Sequence, residues 1–254
     1  MVKKSTKNFD DQFNSNIENQ NRNERKIIEA HIPSNLTDKM VAKNSSQTNL
    51  INSIKNNDIT IASGMAGSGK TYLAVGYALN LIKKPSTNYK KIYFIKSVIP
   101  LKGEEIGFLK GDYMEKIEPY MQSYYLNLEK FISKQSMQIL LGEEIIKPFP
   151  VAFLRGVTID DSIVIVDEAQ NLSMSNIKTI MSRISSSSKM IILGDTNQID
   201  LRNKSESSLE KILTMFNNKI DKVRVVRMND NDDNIRNPII KEIENIFKEY
   251  ELDN

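Results

Sequence analysis

An α/β fold, with a mainly parallel sheet covered by helices on both faces, is predicted by three observations. Short apolar runs recur along the chain at Ile59-Thr60-Ile61-Ala62 and at residues 91–95, 162–166, 189–193 and 223–226. Amphipathic helical patterns lie between them, at residues 72–81, 177–184 and 208–216. Apolar strands that alternate with such helices are those of a parallel sheet buried on both sides. The third observation is a glycine-rich turn, Gly64-Met65-Ala66-Gly67-Ser68-Gly69-Lys70-Thr71, between the first strand and the helix that opens at Tyr72.

Taken in order, residues 1–41 form an Asn-rich N-terminal segment, expected to be poorly ordered. Up to about Asn23 it lacks hydrophobic periodicity. Residues 24–40 carry scattered apolar positions and are ambiguous. Residues 42–254 read as a single domain. Leu50, Ile51 and Ile54 share one helical face before the first strand. After the second strand, residues 102–148 form a helical insertion, with candidates at 113–120, 124–131 and 137–141. Residues 151–154 read as a strand. Residues 239–250 read as a closing amphipathic helix, with Ile240, Ile243 and Phe247 on one stripe.

Composition narrows the chemistry. The 254 residues contain no cysteine, which excludes disulfides, thiolate zinc sites and a cysteine nucleophile. His31 is the only histidine, so a histidine-rich metal centre is excluded. The net charge of +3 allows nucleic-acid contact without demanding it. No apolar run is long enough to cross a bilayer. Met1-Val2-Lys3-Lys4 leads into Asn, Asp and Gln, so no signal peptide is read and a cytoplasmic location is expected.

The run from Gly64 to Thr71 is a full G-x-x-x-x-G-K-T, in the strand–turn–helix context that a phosphate-binding loop needs. Its glycines let the backbone wrap phosphate oxygens, and the following helix points its positive end at them. Lys70 can reach the outer phosphates and Thr71 can offer its hydroxyl to Mg²⁺. A second signal is Ser162-Ile163-Val164-Ile165-Val166-Asp167-Glu168. Open parallel sheets bind ligands beyond the carboxyl ends of their strands, where this run delivers two carboxylates. Asp167 is the candidate Mg²⁺ holder, and Glu168 the candidate that orients and deprotonates the attacking water. A third strand ends in Gly194-Asp195-Thr196-Asn197-Gln198. Asp195 and Gln198 there are candidates to sense the γ-phosphate or to position water. Gln47 is either an amide edge for adenine or a surface residue.

Together these runs resemble the PhoH-like family of ATPases. The resemblance is carried by Gln47, by Gly64–Gly69 with Lys70, Thr71 and Tyr72-Leu73-Ala74, by Asp167-Glu168-Ala169-Gln170-Asn171, and by the run from Gly194 to Leu201. Gly103-Glu104-Glu105-Ile106-Gly107-Phe108-Leu109-Lys110-Gly111-Asp112 is similar to the family's insertion, and Ala152-Phe153-Leu154-Arg155-Gly156 to a further family run. The resemblance covers about residues 42–250. It implies a P-loop NTPase with a RecA-like core, related in its motor to superfamily 1 helicases. It also implies ATP and Mg²⁺ as cofactors, and nucleotide contacts at Gln47, Gly64, Met65, Ala66, Gly67, Ser68, Gly69, Lys70, Thr71, Tyr72 and Asp195. It implies a homo-oligomer, a hexameric ring among the options, and RNA or single-stranded DNA as partner. Two departures stand out: Lys96, where the family has arginine, and Lys110, where it has proline.

One such core has no second core to supply an arginine to the γ-phosphate, so either a neighbouring subunit supplies it or intrinsic turnover is low. Arg236, in a run similar to one near the family's end, is favoured over Arg183 and Arg155. Tyr113, Tyr120, Tyr124 and Tyr125 interleave with Lys110, Lys116 and Lys130, a pattern that fits either base stacking or helix packing, with packing the expectation. The reading is an ATPase coupled to RNA or single-stranded DNA. The alternatives are a nucleotide-regulated oligomer that acts on a protein partner and a small-molecule kinase, against which Glu168 argues.

Overall fold

The structure is a computed structural model that describes residues 3–97 and 113–228, together with Ile239, Glu242 and Ile246. Six strands form one parallel sheet: β1 (Ile59–Gly64), β2 (Lys91–Lys96), β3 (Ile146–Pro148), β4 (Ser162–Asp167), β5 (Lys189–Gly194) and β6 (Val223–Met228). Their order is β3-β2-β4-β5-β1-β6. Every residue of β4 and β5 is buried, as expected of central strands covered on both faces. The edge strands differ: β6 alternates in exposure, and β3 is three residues long and ends in Pro148, whose missing N–H is tolerated at an edge.

Period-two alternation sends successive side chains to two separate cores. Ile163, Ile165, Ile191 and Leu193 face one, which is packed by α3 (Ser45–Asn56), α4 (Lys70–Lys83), α5 (Tyr113–Leu128) and α6 (Lys134–Gly142). Val164, Val166, Met190 and Ile192 face the other, under α7 (Met174–Met181) and α8 (Leu209–Phe216). The helix starts are conventional: Asn44, Ser133 and Ser173 accept, through their side chains, backbone N–H groups of α3, α6 and α7.

Within residues 1–41, expected to be poorly ordered, the second half packs on the domain. Helix α1 spans Lys3–His31, and α2 spans Leu36–Lys39. Ile28, Ile32, Leu36 and Met40, four residues apart, are all buried in the first core. That spacing is a single helical stripe, diluted in sequence by Asn and Lys and broken by Pro33. Arg25 adds a polar tie. Its guanidinium donates to the carbonyls of Ile82 (2.8 Å) and Lys83 (2.5 Å), which the end of α4 would otherwise leave unpaired.

Three further expectations change. Residues 151–154 form a 3₁₀ turn, not a strand. The strand in that region is β3, which adds to β2 just upstream. The two helices read at 113–120 and 124–131 are largely one, α5, which runs through Pro119 and ends at Leu128. Gly103–Asp112 and the stripe of Ile240, Ile243 and Phe247 lie outside the described residues; of the closing segment, Ile239, Glu242 and Ile246 are helical.

Candidate nucleotide site

The carboxyl ends of β1, β4 and β5 are neighbours in the sheet, with Ser63 beside Gly194 and Val166 beside Ile192. The phosphate-loop motif and the acidic pair therefore meet at one edge. Thr71, in the first turn of α4, donates its hydroxyl to Asp167 Oδ2 at 2.8 Å. This is the contact on which the two sequence signals had to agree.

The loop owes its shape to residues inside and outside it. Gly67 and Gly69 have φ of 84° and 86°, a left-handed backbone that glycine adopts without strain. Lys70 Nζ turns inward, donating to the carbonyls of Gly64 (2.5 Å) and Met65 (2.9 Å) and to Ser68 Oγ (3.2 Å). Ala66 donates its amide to Asp195 Oδ2 at 3.0 Å. Gln47 Nε2 donates to the Ser68 carbonyl at 2.9 Å, and its Oε1 accepts the Lys43 amide. Gln47 is thus not a surface residue: it is buried, both ends of its amide are bonded, and it lines the cavity over the loop. Asp195 likewise has its carboxylate engaged by the amides of Ala66 and Asn197.

The two carboxylates of the acidic pair have unlike surroundings. Asp167 is 6 % exposed, and burial together with the neighbouring Glu168 charge raises its pKa above the ordinary carboxylate value. Glu168 is half-buried on a left-handed backbone (φ 54°, ψ 40°), which turns the chain sharply at the strand end. Its Oε2 accepts from Gln170 Nε2 at 2.7 Å, and its Oε1 lies 4.0 Å from Lys96 Nζ. Lys96 also donates to Ser123 Oγ on α5, so this lysine points at the acidic pair.

Sequence reading assigned no role to Gln170 or Asn171. Gln170 is fully buried; besides holding Glu168, its Oε1 accepts the Asp195 amide at 3.0 Å, tying β4 to β5. Gly194 makes room for it, because a Cβ there would lie 2.6 Å from Gln170 Oε1. Asn171 exchanges two 2.8 Å hydrogen bonds with Asp200, and its carbonyl accepts from Ser97 Oγ. Both residues sit inside runs that drew notice, but their partners are 25 and 29 positions away. No local pattern signals such pairs.

A cavity of about 520 Å³ opens over the loop. Lys70, Thr71, Tyr72, Asp167, Glu168, Asp195, Gln198 and Gln47 line one part of it. Val41, Ser123, Asn127 and Lys130 close another part from segments with no motif. Tyr72 stacks on Phe131 (ring centroids 4.7 Å apart) and donates its hydroxyl to the Lys39 carbonyl. Tyr124 is fully buried against Phe94, so its pattern in the sequence reflects packing. Arg183 and Arg155 do not line this cavity, and Arg236 lies outside the described residues.

The volume falls in the range of small-ligand sites. The donor set suits a triphosphate with a hard cation. Among the described residues no group of three His, Cys, Asp or Glu side chains could hold a metal alone. An ion at Thr71 and Asp167 would therefore need phosphate oxygens as well, which is how Mg²⁺ binds.

A triphosphate-binding loop whose threonine faces a buried strand-end acid across a parallel sheet distinguishes P-loop NTPases from other doubly wound folds, and this chain is one of them. Within that class, a family model described as PhoH-like protein matches residues 39–248, and the chain belongs to that family. It is 35% identical over 218 residues to a PhoH-like protein of Bacillus subtilis (strain 168), covering 85% of this chain and 67% of the relative. A PhoH-like protein of Synechocystis sp. is 31% identical over 83% of this chain and 62% of its own length. Protein PhoH of Escherichia coli (strain K12) is 32% identical over 71% of this chain and 51% of its own length. The chain thus spans between about half and two thirds of these relatives. Among solved structures, the large terminase from a thermophilic bacteriophage, in complex with ADP, aligns at TM-score 0.40 and 12% identity, over 79% of this chain and 48% of that one. Among the described residues no helix is long and apolar enough to cross a membrane.

Proposed function

We propose that the chain binds ATP with Mg²⁺, hydrolyses it, and couples turnover to RNA or single-stranded DNA. The observation that supports the reading best is the 2.8 Å bond from Thr71 to Asp167, which gives the two halves of a phosphate-and-metal site one location. Lys70 exchanges its loop carbonyls for the outer phosphates, since an ammonium gains more from a charged acceptor than from neutral ones. When bound, Mg²⁺ would be held by Thr71 and Asp167 and would supply positive charge to the outer phosphates. Asp167 must then be ionised, against the direction in which its burial pushes it. Glu168, held at Oε2 by Gln170, keeps Oε1 turned toward Lys96 and the cavity, where it can take a proton from an attacking water.

An acid next to the metal-holding aspartate favours water over an added phosphate acceptor, which is the argument against a kinase. The absence of any arginine from the described cavity lining favours a homo-oligomer, with a neighbouring subunit supplying that charge. Coupling to nucleic acid rests on the family's relation to superfamily 1 helicases. The test is Mg²⁺-dependent phosphate release by wild type and Glu168→Gln, with and without poly(U). Loss of a general base costs ~10²–10⁴ in rate. The variant is expected to fall by that factor while keeping ATP affinity. Equal turnover in the two proteins would refute the assignment.

A further inference from the structure

A second cleft, of about 680 Å³, lies toward the other edge of the sheet. Three chain segments converge on it. Arg155 follows the 3₁₀ turn Val151–Leu154, Lys178 and Arg183 come from the end of α7 and the residues after it, and Phe216 closes α8. The Arg183 carbonyl accepts the Ile159 amide at 2.8 Å just before β4 begins, which puts the cleft at the amino-terminal side of the strands. Thr179 and Ser182 add hydroxyls to its wall.

The charges in this cleft lack carboxylate partners. Among the described residues no ion pair involves Arg155, Lys178 or Arg183. Among the described residues the Arg183 guanidinium bonds only Ser182 Oγ, its own neighbour. Asp161, just before β4, is engaged by Lys90. Cations in a last helical turn stabilise the helix by themselves, which accounts for Lys178 and Arg183. It does not account for Arg155, which arrives from another segment; Phe216 beside them packs partly on the second core and leaves part of its ring at the cleft.

We propose that this cleft binds a single strand of nucleic acid, its phosphates on Arg155, Lys178 and Arg183 and a base against Phe216. Cations spaced along a groove beside an aromatic ring are the chemistry that single strands select. The inference rests on the coupling proposed above and gives it a location, on the side of the sheet away from the nucleotide.

The test is binding of labelled oligo(U) and oligo(dT) without ATP, so that no role of an arginine in turnover enters, across a salt series. For single strands each phosphate contact contributes about 0.7 to the slope of log affinity against log salt. The triple variant Arg155→Ala/Lys178→Ala/Arg183→Ala should therefore lose about 2 from that slope and at least about tenfold in affinity at low salt. Phe216→Leu, which keeps an apolar side chain but removes the ring, should lose about tenfold with its slope unchanged. A charge-matched control, Lys55→Ala/Lys134→Ala/Lys219→Ala, should bind as wild type does. Should the triple variant misfold, the exposed single change Lys178→Glu replaces it and should weaken binding severalfold. Equal losses in the triple variant and the control, or no loss in either, overturn the cleft and leave the coupling in place. Wild type that binds neither strand at low salt overturns the coupling and the cleft with it. The two oligomers, compared in one series, show whether the strand is RNA or DNA.

Discussion

At the carboxyl edge of the sheet the charged groups hold one another, whereas at the amino edge three cations stand without a carboxylate among the described residues. Lys70 is bonded to its own loop, Asp167 to Thr71, Asp195 to the Ala66 amide, and Glu168 to Gln170 with Lys96 nearby. Arg155, Lys178 and Arg183 have nothing comparable. The difference is one of burial. Asp167 and Lys70 are too buried for water to solvate them fully, so they must be paired before ligand arrives. The cleft cations face water and can wait for a partner. The first edge is a preorganised site in which ligand displaces internal bonds. The second is an open surface, where any affinity should be largely electrostatic and sensitive to salt.

Several measurements sharpen or break this contrast. The largest effect after Glu168→Gln is expected at Gln170. Gln170→Ala removes a hydrogen bond to a charged group, worth about 1.5–3 kcal/mol. If the whole of it serves to orient Glu168, kcat falls about 10- to 100-fold with KM for ATP little changed, and strand binding without nucleotide is unaffected. An unchanged kcat would mean that Gln170 only ties β4 to β5.

The glycines of the two edges make a matched pair. A Cβ on Gly194 would lie 2.6 Å from Gln170 Oε1 and 2.7 Å from Leu209 Cδ2, while one on Gly156, at the cleft, would meet nothing within 4 Å. Gly194→Ala should cost about 1–3 kcal/mol by overpacking and lower turnover by displacing Gln170. Gly156→Ala should cost about 1–2 kcal/mol, from its φ of +78° alone, and leave turnover as it was. Thermal melting and phosphate release on both variants decide the point. Equal losses of turnover would break the contrast.

The smallest effect concerns Asp167. A folded-state pKa raised above its unfolded value means that the folded protein holds the proton more tightly. This group's contribution to stability therefore declines as pH rises from the unfolded value through the folded one. Asp167→Asn removes the charge and keeps one oxygen to accept from Thr71, at the cost of the acceptor for the Glu168 amide. It should raise the ligand-free Tm relative to wild type at neutral pH. The gain should vanish at acid pH. A lower Tm at neutral pH would show that the charge is well paired without metal.

Much of the fold was legible in local pattern. The five strands read from apolar runs are β1, β2, β4, β5 and β6; the central ones, β4 and β5, are legible because a strand buried on both faces must be apolar throughout, and β6 because β-branched valines recur along it. Strand β3 was missed because three residues ending in proline carry no periodicity. The 3₁₀ turn Val151–Leu154 was misread because four apolar residues look alike in a strand and in a buried turn. Helix α1 escaped notice for a related reason: its buried stripe is carried by a few isoleucines among polar residues, and only contact with α4 and α6 gives them a core.

The sequence by itself determined the phosphate loop and the acidic strand end, since a glycine-rich turn and a strand terminus are local objects whose residue types dictate their chemistry. Tertiary structure alone decided that Thr71 touches Asp167, that Gln47 and Asp195 brace the loop, that Gln170 holds Glu168, and that Arg155 joins Lys178 and Arg183. Most of these pairings span long stretches of chain. They arise from strand order and burial, which every residue of the core sets jointly.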